Sequence, residues 1–470
     1  MTAASQTLLP ASVAAGHPAT AQAGIDILRA GGNAADAAVA MMFTTAASEP
    51  IFTGLHGGGF ATYYEASTGT VTCLDFFVAV PGLGDRRAGE PTHLVINLGG
   101  QDINYIVGAP SIAVPGNPAG GEALHRRFGR LDWTQVLAPS IAAAQIGVPL
   151  TEAHHAVLLN VAPAMIPSDG AAVFLNPDGE LRRAGDLLPH LGMADALRRI
   201  AKHGAADFYT GEIAERQLAA TEDGGLLSAA DLAAYRAVEL TPRRLETAGR
   251  TIWARGNDLD NILGTMAQLA AIGEVHHPSW HEPTARRLVQ VLRAFPKHSE
   301  TTNLVVADGD GNACALTTSL GLGAGVWVRG YGIHMNSMLG ETELVREQLQ
   351  PGDRMGSMMT PLCITDDQGL YVAAGAAGGG RIRSGLIQTL VGMLYDDLSA
   401  ADAVRMPRLN ALPDAVRMEP GFSPDVLNAL GSSDELLVNE RLNAYFGGVS
   451  AIGRTGPGAD PRRGGAAALL

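Results

Sequence analysis

Thr301 and Thr302 stand side by side deep inside the chain, just ahead of the apolar run Leu304 to Ala307. The turn Asp308-Gly309-Asp310-Gly311-Asn312 follows, and then a second strand-like run, Ala313 to Ser319. Asp-Gly and Asn between two β-compatible runs predict a hairpin. A threonine at the head of such a hairpin suits one chemistry. If the Glu300–Thr301 peptide is cut, Thr301 gains a free α-amine beside its own hydroxyl, and that amine can take the hydroxyl proton to leave a nucleophile. β-Propensity alone also places Thr-Thr before a strand, and in an arbitrary chain it would suffice. A second candidate is the glycine loop Gly375 to Gly380, which opens a helix predicted over Ile382 to Tyr395. Backbone N–H groups at a helix start can face developing negative charge, although an ordinary strand-to-helix turn has the same sequence.

These residues need elements to position them. Helical spacing (Ala23, Ile27, Leu28) from Thr20 to Arg29 ends at Gly31-Gly32, a C-cap signature. Asn33 can cap a second helix, Ala34 to about Ala47, so rich in alanine that it should be buried. After Gly57-Gly58-Gly59, the runs Ala61 to Glu65 and Thr70 to Phe76 predict another hairpin. The stretch from Gly120 to about Lys202 reads as mostly helical, as do Leu226 to Tyr235 and two segments within Leu263 to Phe295. Met358 to Thr365 and Leu370 to Ala374 read as a strand pair. Alternating blocks of helix and strand predict a layered α+β fold.

Composition narrows the function. A chain of 470 residues is one large layered domain or two closely packed halves. Its net charge of −14 argues against nucleic acid or an anionic membrane as partner. Cys73, Cys314 and Cys363 sit in apolar, strand-like surroundings and read as reduced core thiols. Met1 to Ala15 lacks a basic segment followed by a continuous apolar one, and no apolar run nears the ~18 residues of a membrane span, so a cytoplasmic protein is expected. His276, His277 and His281 with Glu282 resemble a metal cluster, but Pro278 and Pro283 break regular ligand spacing, and a solvated loop is expected. His154 and His155, on a helix-like segment, read as surface residues, while His56 either faces a cleft or packs. No motif asks for a metal or a cofactor.

Seven segments occur in a telling order. They are Gly16 to Ala40, Thr53 to Phe60 (TGLHGGGF), Thr301 to Ser319, Asn336 to Glu341 (NSMLGE), Arg354 to Pro361 (RMGSMMTP), Gly375 to Ile382 (GAAGGGRI) and Gly458 to Ala467 (GADPRRGGAA). Together they resemble the γ-glutamyltranspeptidase family of N-terminal-nucleophile hydrolases over nearly the whole chain. The resemblance implies a four-layer αββα sandwich, made as an inactive precursor that cuts itself between Glu300 and Thr301. It implies a large subunit, Met1 to Glu300, and a small subunit, Thr301 to Leu470, joined non-covalently as a heterodimer or a dimer of heterodimers. Thr301 would serve as self-cleavage and catalytic nucleophile, with its own amine as general base. Ser319 falls where the family places a hydroxyl that positions the nucleophile; a solvated strand-end serine is the alternative. Gly378 and Gly379 match the family's oxyanion glycines.

The family's substrate clamp is where this chain departs. An Arg that holds the glutamyl α-carboxylate is replaced by Phe77 in Asp75-Phe76-Phe77-Val78, and Phe cannot supply a bidentate carboxylate contact. Of two neighbouring serines, Ser357 remains and Met358 takes the second place. Met338 stands where an amine-binding side chain is expected, and Glu341 lies near the family's acidic amine-binding position. Arg381 or Arg383 could compensate. The family's usual longer stretch before the nucleophile is also shortened here. The implied function is a self-processing hydrolase of a small molecule with a non-standard acyl or amide group, in specialised metabolism. The alternatives are a carbon–carbon bond hydrolase of a 4-alkylproline-type pathway, a conventional γ-glutamyl hydrolase or transferase, and an uncleaved, non-catalytic homologue.

Overall fold

The computed structural model describes residues 7–98, 101–293, 301–341, 344 and 348–470, with the side chains of 98, 101 and 102 left aside. Glu300 lies outside the described residues, so the expected cleavage site is seen from Thr301 onward. Among the described residues, thirteen strands make two facing sheets. In chain order they are β1 (Ser12–Ala15), β2 (Gly58–Glu65), β3 (Thr70–Phe76), β4 (Val238–Leu240), β5 (Arg243–Thr247), β6 (Arg250–Ala254), β7 (Thr302–Ala307), β8 (Ala313–Ser319), β9 (Leu362–Asp366), β10 (Gly369–Ala377), β11 (Gly448–Gly453), β12 (Gly456–Ala459) and β13 (Ala466–Leu469). The first sheet runs β13-β1-β7-β8-β2-β3-β4 and the second β12-β11-β10-β9-β6-β5.

Alternation along β7 and β8 divides the layers. Leu304, Val306, Cys314 and Leu316 face outward into a core shared with helices α1 (Pro18–Arg29), α2 (Ala34–Ser48), α3 (Asn117–Phe128) and α4 (Trp133–Ile146). Val305, Ala307, Ala313 and Ala315 face inward and meet Cys363, Ala373 and Ile452 of the second sheet. On the far side, α5 (Ile262–Ala270), α6 (Glu282–Arg293) and α7 (Ile382–Tyr395) cover Ile364, Val372 and Val449. The result is the four-layer αββα sandwich. All three cysteines are buried free thiols.

The predicted hairpin forms in the expected place, with Thr302 opposite Thr318 and Ala307 opposite Ala313. Asp308 closes its turn by accepting from the backbone N–H groups of Asp310 and Asn312, each at 2.9 Å. Asn33 caps α2 as part of a reciprocal capping box with Asp36. Three expectations need correction. The strand read from Met358 starts only at Leu362, because Pro361 has no N–H for a ladder and Ser357 Oγ bonds the Met359 N–H locally. The helix in Leu226–Tyr235 shortens to Ala229–Ala234, capped by Ser228 and ended by an extended Tyr235. The His276–His281 segment is not simply solvated, since His277 is fully buried and bonded to Ser279, and His276 lies 2.6 Å from Asp396.

Candidate active site

Continuing the β7–β8 register one step beyond Thr302–Thr318 sets Thr301 across from Ser319. Both are buried and line one narrow cavity together with Phe77, Met338, Leu344, Ser357, Met358, Met359 and Ile382. Residues scattered over three hundred positions thus meet at one point. Ser319 Oγ accepts from the Gly321 N–H at 3.0 Å, which fixes the serine rotamer at the strand end, so Ser319 is a buried and not a solvated serine. The glycine run makes the approach possible. A Cβ on Gly57 would stand 2.5 Å from Ser319 O, and one on Gly58 would stand 2.8 Å from Val78 N. Only bare backbone lets the Phe77 segment and the end of β8 come this close.

Around the hydroxyls of Thr301, Ser319 and Ser357 the side chains of this cavity are apolar: Phe77, which stacks on Phe60 with ring centroids 5.5 Å apart, three methionines, Leu344 and Ile382. No arginine lines it among the described residues. Arg383 is spent elsewhere, donating to the carbonyls of Leu292 (2.8 Å) and Asp260 (3.4 Å). Arg381 lies over the Tyr445 ring at 4.2 Å. The guanidinium behind this cavity is instead Arg255, which nothing in the sequence singles out. It sits 3.6 Å above the centre of Phe60 and donates to the backbone carbonyls of Met359 (2.9 Å) and Ser357 (2.5 Å). Burial lowers its pKa to about 10, opposed by Asp258 and Asp75, so it remains a cation. It therefore shapes the Ser357–Met359 floor from below. Glu341 is buried outside the cavity lining, its carboxylate packed against Gly321, where a Cβ would meet Oε1 at 2.6 Å.

A second cavity lies on the other side of Thr301. Glu49, at the end of α2, accepts from Thr20 Oγ1 at 2.8 Å and from Thr302 Oγ1. Arg463 donates to the carbonyl of Thr301 at 3.2 Å. His154 lines the same space and is fully buried, not a surface residue as its sequence suggested. Its helix, Glu152–Met165, turns that ring inward against Phe52 (4.9 Å) and His17 (5.4 Å), while His155 bonds the Arg182 carbonyl near the surface. Burial first, then neighbouring His17 and Arg463, push the His154 pKa down to about 3, so its ring is neutral. Burial pushes the Glu49 carboxyl up to about 7, against the lowering pull of Thr302, Thr20 and Arg463. His56 packs in the core with Nδ1 facing the Asn336 amide at 2.9 Å.

Gly378 and Gly379 both adopt positive φ, at 117° and 56°, between β10 and α7. A Cβ on Gly378 would meet Gly447 Cα at 2.7 Å and Arg463 Nη2 at 3.2 Å. The residues flanking this turn, Ala377 and Ile382, each line a cavity that also contains Thr301. The glycine turn is therefore held beside the head of β7.

Comparison with known proteins bears on the family and the fold. The family model described as gamma-glutamyltranspeptidase matches residues 20–272 and 264–470. The glutathione hydrolase proenzyme of Escherichia coli (strain K12) is 27% identical over 486 residues, spanning 87% of this chain and 82% of its own length. Acylase ACY 1 proenzyme of Pseudomonas sp. (strain SE83) is 26% identical over 503 residues, spanning 94% of this chain and 89% of its own. The crystal structure of cephalosporin acylase from Bacillus halodurans superimposes with a TM-score of 0.83 over 98% of this chain and 96% of that one, at 24% identity, a likeness of fold.

Proposed function

We propose, from the premise that the chain belongs to the gamma-glutamyltranspeptidase family of N-terminal-nucleophile hydrolases, a self-processing threonine hydrolase that cleaves an amide with an apolar acyl group. In the precursor, Thr301 Oγ1 adds to the Glu300 carbonyl, the acyl chain shifts from nitrogen to oxygen and so frees the Thr301 amine, and water then hydrolyses the ester to release the Glu300 carboxylate and the Thr301 hydroxyl. In the processed enzyme that amine takes the Oγ1 proton as the oxygen attacks substrate, and returns it to the leaving nitrogen. Ser319 orients the nucleophile, and the N–H groups of the Gly378-Gly379 turn receive the oxyanion. Water then releases the acyl group.

One observation carries the choice of substrate. The cavity holding Thr301 and Ser319 is walled by Phe77, Met338, Met358 and Met359, and Arg255 behind it is bonded to the backbone. A substrate carboxylate desolvated there without a bidentate partner would cost several kcal/mol. An apolar acyl group loses nothing, a reading in keeping with specialised metabolism. Ser357, in the cavity lining, favours a second reading, a γ-glutamyl substrate; Glu341, outside that lining, would have to turn inward to hold its amine. Denaturing electrophoresis with N-terminal sequencing tests the first step: the wild type gives two fragments, the smaller starting at Thr301, and Thr301→Ala stays a single band. Phenylacetyl-p-nitroanilide and γ-glutamyl-p-nitroanilide then divide the two substrates. Fast turnover of the γ-glutamyl compound and none of the phenylacetyl one would overturn the apolar assignment.

A further inference from the structure

The cavity behind Thr301 holds a set of charges for which the reaction above gives no role. Thr301, the residue just ahead of β7, accepts from Arg463 through its carbonyl and lines a space that Glu49, His154 and Asp460 also line, so its nitrogen, two bonds from that carbonyl carbon, lies within their field. We propose that Arg463 and Glu49 are a pair of positioning residues that set, with opposite sign, the proton affinity of the amine freed on Thr301. The inference rests on the self-processing reading.

Every element around this space presents a defined partner. From α2 comes Glu49; from the head of α1, Thr20 and the buried His17, whose Nδ1 accepts from the Ala19 N–H. From helix Glu152–Met165 comes His154, kept neutral by burial. From the C-terminal turn come Asp460 and Arg463. Asp460 is already neutralised by Arg408 at 2.6 Å and Arg462 at 3.1 Å, and it bonds the Arg462 N–H to hold that turn. Among the described residues, Glu49, bonded to Thr302, and Arg463, bonded to the Thr301 carbonyl, are the opposite charges in contact with the head of β7. Gly16 leaves the space for them: a Cβ there would stand 2.5 Å from Glu49 Oε2 and 3.1 Å from Thr302 Oγ1.

The signs follow from charge. An α-amine ordinarily titrates near ~8. A guanidinium beside it disfavours the ammonium and keeps the amine neutral, the form that can accept the Oγ1 proton. A carboxylate favours the ammonium and opposes this. Glu49 ionises around 7, just below the range in which the amine would titrate, so its charge is present where it counts.

The test reads the terminus directly. Processed wild type, Glu49→Gln, Arg463→Gln and Arg463→Lys are treated with cyanate across a pH series, and carbamoylation of Thr301 is followed by mass spectrometry of the small fragment. Arg463→Gln should raise the apparent pKa of the terminus by about one unit, Glu49→Gln should lower it by a similar amount, and Arg463→Lys should restore it. A purely structural role would lower the melting temperature without moving either value. Should Arg463→Gln fail to mature, Glu49→Gln decides alone. Unchanged titration in Glu49→Gln, shifts of the same sign, or a wild-type terminus that never reacts would each overturn the proposal. A wild-type chain that is never cut sinks the functional reading instead.

Discussion

Phe77 and Arg255 meet at Phe60, the one stacked on its ring at 5.5 Å and the other over its centre at 3.6 Å. Phe77→Ala removes a ring stacked on Phe60 and should destabilise the fold by about 3–5 kcal/mol, measured by urea denaturation, while admitting bulkier acyl groups. Arg255→Met leaves the Ser357 and Met359 carbonyls without their donor, at roughly 1–3 kcal/mol for each, and should raise KM more than it lowers kcat. Glu49 gives a prediction in pH. Its folded-state pKa, about 7, lies above the ordinary carboxyl value of 4.5, so the native state binds the extra proton. The associated stability is complete below the unfolded value and is lost as pH rises through about 7. Between the two values it amounts to at most about 3 kcal/mol, and Glu49→Gln should flatten that slope in a series of melts.

Turns and helix ends show which elements could be read in advance. Asn33 and Asp308 mark local structure by chemistry that belongs to one residue, and the elements they bound formed as predicted; the helix after the glycine run did so too, but the strand before it continues through Gly375 to Ala377, so the expected Gly375–Gly380 loop shrinks to a turn from Gly378. Asn33→Ala should cost about 1 kcal/mol of thermal stability. Strands β1 and β13 gave no such signal. Their sequences, Ser-Val-Ala-Ala and Ala-Ala-Ala-Leu, are poor in β-formers and are held by their partners across the sheet. His154 failed for a similar reason: which face of its helix turns inward depends on Phe52 and Arg463, far away in sequence. That Phe77, Met338 and Met358, which line the Thr301 cavity, are apolar is plain in the sequence, whereas the backbone role of Arg255 is not, because a buried Arg and an exposed one look alike there. Gly16→Ala, between β1 and α1, should disturb the Glu49–Thr302 contact and slow self-cleavage more than it lowers the melting temperature. The rate of appearance of the small fragment on gels reports it.

At the scale of the whole molecule, the order of the first sheet interleaves the chain. Strand β1 lies between β13 and β7, and β8 pairs with β2, so segments from before and after residue 300 alternate across it. In the second sheet β6 joins the earlier part of the chain to β9 of the later. Neither 1–300 nor 301–470 has a complete sheet of its own, and each expressed alone should fail to give a cooperative melt. A cut before Thr301 would therefore sever one bond in a braid, with no loose half to drift away. Its cost appears only on unravelling. The intact Thr301→Ala chain refolds with its parts tethered, but the nicked form must find its other strand by diffusion, so its recovery after heating should fall on dilution while that of the intact chain does not.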